Sequence, residues 1–230
     1  MWQHFLKQKT EVLTRVYLQS LYQTPNLGDT SVYINASVLP NHSILRAINN
    51  LLPNQMLKCN DEIIAAYIPN SKINNCSELY QICENLEIVV FNDKVNVIRN
   101  NYDLFLLNGD EINGDIQFID SDLANPNLEY ALKVINGQQI YVEEGAVVES
   151  CILNATNGPI YIGKHAKILD GAVVKGPLAI GEHAVVKAGA KIYGETTIGP
   201  YCKVGGEISN SVLFGYSNKG HDGYLGNSVL

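Results

Sequence analysis

From Ile162 onward every sixth residue is aliphatic: Ile162, Ile168, Val174, Ile180, Val186, Ile192, Ile198 and Val204. Four places behind each stand Ala166, Ala172, Leu178, Ala184, Ala190, Thr196, Cys202 and Ile208, most of them small. Upstream, Val142 with Ala146 and Val148 with Ile152 keep the same spacing, displaced by a slip of two through Asn154–Pro159. A helix repeats at about 3.6 residues and a two-sided strand at 2, so neither yields a strict six. A short strand and a turn do, when three such units close one triangular coil of about eighteen residues. The aliphatics then point into the prism axis and stack from coil to coil at roughly 4.8 Å. The second inward position, near each corner, has room only for a small side chain, and Gly163, Gly181, Gly199 and Gly205 take the bends behind an aliphatic. Residues 139–230 are enough for about five coils, a rod of roughly 24 Å.

The rest of the chain has a different composition. Glycine occurs four times in residues 1–138 and fifteen times in residues 139–230. The first stretch carries 9 Lys+Arg against 15 Asp+Glu, a balance of −6; the second carries 7 against 8, a balance of −1. This shift predicts a boundary at the Asn136-Gly137 turn signal, with one domain over 1–138 and another over 139–230. In the first, Trp2, Phe5, Leu6, Leu13, Val16, Tyr17 and Leu21 recur at helical steps. Strands are expected at 31–35, 63–68 and 87–91, and helices at 43–52 and 77–86, an alternation that favours an α/β layer.

The overall charge of −7 is a poor platform for nucleic-acid phosphates. No apolar run approaches the roughly 18 residues of a membrane span. The start at Met1–Lys7 lacks the apolar stretch of a secretory signal. Cys59, Cys76, Cys83, Cys151 and Cys202 are odd in number and form no C-x-x-C, which suggests reduced thiols and a cytoplasmic location.

After Val204 the rhythm of six breaks, and it resumes near Leu225. Within the interruption, Ser217-Asn218-Lys219-Gly220-His221-Asp222-Gly223-Tyr224-Leu225-Gly226-Asn227-Ser228 resembles the acetyltransferase half of the GlmU family, whose pattern is Ser-Lys-x-Gly-His-x-x-Tyr-Leu-Gly-Asp-x. Gly220-His221, Tyr224, Leu225 and Gly226 match in place; Lys219 is displaced by one position, and Asn227 replaces the acid. The [Ile/Val]-Gly-x-x-[small]-x units as a group resemble hexapeptide-repeat acyltransferases, and this resemblance implies a left-handed parallel β-helix. The first part resembles GlmU-like sugar nucleotidyltransferases less sharply, through Tyr33–Asn41 and Asp103–Gly109. The implied architecture is a partial α/β nucleotidyltransferase-like domain followed by the β-helix.

By position, His221 resembles the catalytic base and Tyr224 an acceptor-binding residue; Lys219 is a weaker candidate for steering a phosphate. The residue type suits the task, because acyl transfer from a thioester to a sugar amine needs a base that is neutral near pH 7. The competing reading of His221 is a solvated turn residue between glycines. Adjacent residues in a turn seldom face each other, so Asp222 is not expected to orient it. The resemblance implies acetyl-CoA as acyl donor, an amino sugar phosphate or nucleotide sugar as acceptor, and a homotrimer whose neighbouring subunits complete each site.

Other features carry less. His165 and His183 are one coil apart and should stack, but two imidazoles fall short of the three protein ligands of a catalytic zinc. Cys202 occupies an inward position as a core residue, and Cys151 has no partner that would make it a nucleophile. Nucleotidyl transfer needs a Gly-rich loop for the triphosphate and acids for Mg2+. No such loop precedes Gly28, and Asp61, Asp93, Asp103, Asp110 and Asp115 lie in no recognisable motif. Set against the family, the chain is expected to be a fragment, starting inside its first domain and stopping within a repeat at Leu230. Two further readings stay open: sugar-1-phosphate nucleotidyl transfer with the β-helix as a trimerising scaffold, and a non-catalytic assembly module.

Overall fold

The aliphatic column seen in the sequence is the core of the second half of the molecule: Ile162, Ile168, Val174, Ile180, Val186, Ile192, Ile198 and Val204 are all fully buried. The structure is a computed structural model that describes residues 2–7, 9–22, 30–69, 73–119, 123 and 128–230. It divides into two compact units, 1–99 and 100–230.

In the first unit, strands β1 (Thr30–Ile34), β2 (Gln55–Cys59), β3 (Glu62–Pro69) and β4 (Glu87–Val90) form one sheet in the order β1-β3-β2-β4. β3 runs antiparallel to both neighbours, and β2 pairs with β4 in parallel. Helices α1 (Trp2–Leu6) and α2 (His42–Asn49) pack on one face through Trp2, Ile44, Ile48, Leu57 and Ala65. Helix α3 (Cys76–Cys83) covers the other through Cys83, Met56, Ala66 and Ile68, which makes the expected α/β layer. Both longer helices begin at an asparagine. The Asn41 side chain accepts from the Ile44 N–H, and that of Asn75 from the Ser77 and Glu78 N–H groups.

The single amphipathic helix suggested over 2–21 does not form. Among the described residues of this segment only α1 and a 3₁₀ turn at Val16–Leu21 are helical, and Val16, Tyr17 and Leu21 are exposed. Between them lies Thr10-Glu11-Val12-Leu13-Thr14, whose β-branched residues disfavour a helix. The Leu13 and Thr14 carbonyls instead accept from the Cys76 thiol and N–H at the start of α3. Strand β2 was not expected from the sequence; it joins β3 through Asn60, which takes a left-handed φ of 52°.

In the second unit, sixteen short strands stack into three parallel sheets. The first holds β7 (Val147–Val148), β10 (Lys167–Ile168), β13 (Val185–Val186), β16 (Lys203–Val204) and β19 (Asn218–Lys219). The second holds β5 (Lys133–Ile135), β8 (Ile152–Asn154), β11 (Val173–Lys175), β14 (Lys191–Ile192), β17 (Glu207–Ser209) and β20 (Tyr224–Gly226). The third holds β6 (Ile140–Val142), β9 (Ile160–Ile162), β12 (Leu178–Ile180), β15 (Thr196–Ile198) and β18 (Val212–Leu213). This is a three-sided parallel β-helix of about five coils, consistent with the left-handed form. Its central coils repeat every eighteen residues, as in the pairing of Ile168 with Val186 and of Ile180 with Ile198. The Asn136-Gly137 turn lies between β5 and β6, with Asn136 at a left-handed φ of 58°.

Helix α4 (Asp103–Asp115), which the sequence reading did not anticipate, belongs to this unit and packs on β12, β15 and β18. Its Asn108 amide donates to the Glu195 carbonyl at 2.8 Å and its Asn108 carbonyl oxygen accepts from the Thr197 hydroxyl at 2.7 Å. Gly109 faces the Glu195 side chain so closely that an added Cβ would lie 2.8 Å from Cγ. Among the described residues no helix is long and apolar enough to cross a membrane.

Candidate functional site

The site is built where the coil changes length. Val186 pairs with Val204 eighteen residues on, but Val204 pairs with Lys219 only fifteen residues on. Ile208 then pairs with Leu225, which returns an aliphatic to the column. The shortening falls between Val204 and Leu213, since Ile192 pairs with Ile208 sixteen residues on and Ile198 with Leu213 fifteen residues on. A lysine takes a register that holds Val148, Ile168, Val186 and Val204 in the coils below. The chain between β19 and β20 bends at His221-Asp222-Gly223, with Gly223 at φ 114°, within an ordinary six-residue step from Lys219 to Leu225.

Two ammonium groups hold the bend. The Lys219 Nζ donates to the carbonyls of Gly205 (2.8 Å), His221 (2.7 Å) and Gly223 (2.7 Å). The Lys187 Nζ donates to the carbonyl of Gly220 at 2.7 Å. Charged donors make stronger hydrogen bonds than neutral ones, and these distances are at the short end for N–H···O. The glycine pair below makes the room. A Cβ on Gly205 would come within 3.3 Å of Lys187 Cδ, and one on Gly206 within 2.6 Å of Lys219 Nζ. Gly206 also sits at φ +71°.

On this scaffold the His221 side chain is exposed, as are Asp222 and Tyr224. Tyr224 is paired in register with Glu207, and its ring lies over Gly226, where any Cβ would strike the Tyr224 hydroxyl. The main chain of the bend is therefore fixed while the imidazole faces outward. Lys219 meets His221 through the latter's carbonyl, and its three N–H bonds are matched by three main-chain oxygens. Sequence reasoning singled out His221, Tyr224 and Lys219 but missed Lys187 and Gly205-Gly206. The signal available was the glycine doublet directly after Val204, together with a lysine standing in an aliphatic register.

The remaining candidates are placed as follows. His165 and His183 stack at 4.9 Å between ring centroids, and the stack continues through Tyr201 (4.8 Å) to Tyr216 (5.1 Å). All four residues occupy left-handed corners, with φ between 55° and 66°. Among the described residues no three His, Cys, Asp or Glu side chains gather as metal ligands would. The Asp103 carboxylate accepts from the Asn100 N–H at the start of α4. Cys202 is buried, its thiol 3.0 Å from the Phe214 carbonyl. Burial pushes the Cys151 thiol up to about 11, the opposite of what a nucleophile needs.

A family model described as sugar nucleotidyl transferase matches residues 1–123. The chain belongs to the sugar nucleotidyl transferase family. The match covers β1 to β4 and also α4, so the helix that lies along the coil falls within the family's sequence. No curated protein matches the chain.

Proposed function

We propose that this member of the sugar nucleotidyl transferase family carries a GlmU-like acyltransferase site on its β-helix, moving an acetyl group from acetyl-CoA to the amine of an amino sugar phosphate or nucleotide sugar. The observation that carries the reading is the exposed His221 imidazole on a bend whose carbonyls are held by two lysines. In this reading His221 takes the proton of the attacking amine as the new N–C bond forms. The oxyanion is met by main-chain N–H groups of the glycine-rich bend, and the imidazolium returns its proton to sulfur as the C–S bond breaks. Tyr224 contacts the acceptor sugar. Neighbouring subunits of a homotrimer close the cleft over the imidazole. CoA is here a substrate, and the chain's own contribution is to present the base and to orient the acceptor.

The test is thiol release from acetyl-CoA with glucosamine-1-phosphate. His221→Ala is expected to lower kcat by roughly 10²–10⁴-fold. Unchanged turnover would defeat the assignment.

The family match favours a second reading, sugar-1-phosphate nucleotidyl transfer, in which sugar phosphates and nucleotides meet the first unit. Its discriminator is pyrophosphate release from a nucleoside triphosphate and a sugar phosphate, a signal that His221→Ala leaves intact. Asp61, Asp93, Asp103, Asp110 and Asp115 do not form a three-ligand group among the described residues.

A further inference from the structure

We propose that Lys219 is a positioning residue: a tethered cation, caged by main-chain oxygens, that sets the shape of the His221 bend. The inference rests on the reading of His221 as the base and assigns Lys219 to the loop instead of to a substrate phosphate.

The cage has the stoichiometry of an ammonium ion. An ammonium offers three N–H bonds and no acceptor, and three carbonyls converge on Lys219 Nζ at 2.7–2.8 Å. They come from separate places: Gly205 lies on the coil below, and His221 and Gly223 lie on the two sides of the bend. One charged group thus ties the bend to the preceding coil and closes it on itself. The ammonium reaches the cage because its stem starts in the aliphatic register below which Val204 stands. The space is kept by Gly206, where a Cβ would come within 2.6 Å of Nζ and 2.7 Å of the Gly223 carbonyl oxygen. Lys187 independently holds the carbonyl just before His221. Three carbonyl dipoles of the bend, those of Gly220, His221 and Gly223, are therefore turned toward fixed positive charge, while the side chain of His221 stays exposed. Lysine ammoniums are costly to dehydrate, so one given three oxygens in this geometry is a built feature of the loop.

The experiment has one arm on the unaltered protein and one on variants. In the full chain, ¹⁵N-detected NMR of lysine ammonium groups should show Lys219 protons that persist against solvent exchange while those of exposed Lys203 do not. Equally fast exchange at the two would end the proposal without any variant having to fold. Lys219→Ala should speed amide exchange of residues 218–224 by at least tenfold, shift the His221 imidazole resonances and lower kcat with KM little changed. Added n-butylammonium should restore all three, and tetramethylammonium, which has the charge but no N–H, should not. Loss of loop protection with kcat unchanged, or rescue by both cations alike, would overturn the positioning role. If His221→Ala itself leaves turnover intact, the base assignment falls; the exchange, resonance and rescue data still decide whether the cage exists.

Discussion

Asn108 and Thr197 are 89 residues apart in sequence and meet through a 2.7 Å hydrogen bond, the Thr197 hydroxyl donating to the Asn108 carbonyl oxygen. The same amide donates to the Glu195 main chain, so one side chain docks helix α4 on the third sheet of the coil. Gly109, beside it, lets the helix approach Glu195. Asn108→Ala is expected to cost about 1–3 kcal/mol, since it leaves a hydroxyl and a carbonyl short of partners. Combined with Thr197→Val in a double-mutant cycle, the pair should show a coupling of about 0.5–3 kcal/mol in chemical denaturation. Strict additivity would mean that the helix is held by its apolar contacts alone.

Ile180 stands at the centre of the aliphatic column, paired in register with Ile162 below and Ile198 above, and is fully buried. Ile180→Ala removes atoms from a stack that cannot close up, because its spacing is set by the strand ladders. A loss of about 2–5 kcal/mol is expected, read from the denaturation midpoint. The exposed Val147→Ala provides the contrast and should stay near the wild-type value.

Gly189 and Gly206 have nearly the same backbone, φ +72° and +71°, but different surroundings. A Cβ at Gly189 meets open space, whereas at Gly206 it meets the Lys219 ammonium. Alanine at Gly189 should cost the left-handed strain alone, about 1–2 kcal/mol. At Gly206 the same substitution also disturbs charge-assisted hydrogen bonds and should cost about 1.5–3 kcal/mol more. Equal losses in thermal unfolding would show that the lysine cage adds no stability.

Thiol reactivity should sort by burial. Cys59 and Cys76 are half-buried, whereas Cys83, Cys151 and Cys202 are buried. A disulfide-exchange reagent at neutral pH is expected to label the first two and reach the others only on unfolding. Burial raises Cys151 from 9.0 to about 11, so the folded protein keeps a proton that the unfolded chain releases over that interval. The corresponding contribution to stability is complete below pH 9 and declines from there toward 11. Rapid labelling of Cys151 in the native state, or alkaline stability unchanged by Cys151→Ala, would contradict this.

Much of the β-helix could be read in advance because its constraint is local and repeated. Each of Ile162 to Val204 faces the same narrow axis, so the requirement shows up eight times in the sequence at one spacing. Helix α4 gave no such signal. Asn108 and Gly109 suit it because of Thr197 and Glu195, partners that only folding brings near. Strand β2 was hidden for a similar reason: Gln55 and Lys58 look unremarkable until β3 and β4 flank them. At the candidate site, His221 and Tyr224 stood out through their motif, while the role of Lys187 depends on a carbonyl 33 residues away. Helical spacing near the amino terminus misled because Leu13 and Thr14 give their carbonyls to Cys76.

The ring ladder from His165 through His183 and Tyr201 to Tyr216 shows that this half of the molecule is organised in storeys. Excising or duplicating one whole storey of eighteen residues, the step from His165 to His183, would leave each remaining ring stacked on a neighbour. Shorter coils close as well when a corner gives up the difference, as between Val204 and Lys219 and between Ile208 and Leu225. The height of the tower is thus open to change by in-frame duplication, while its cross-section resists drift.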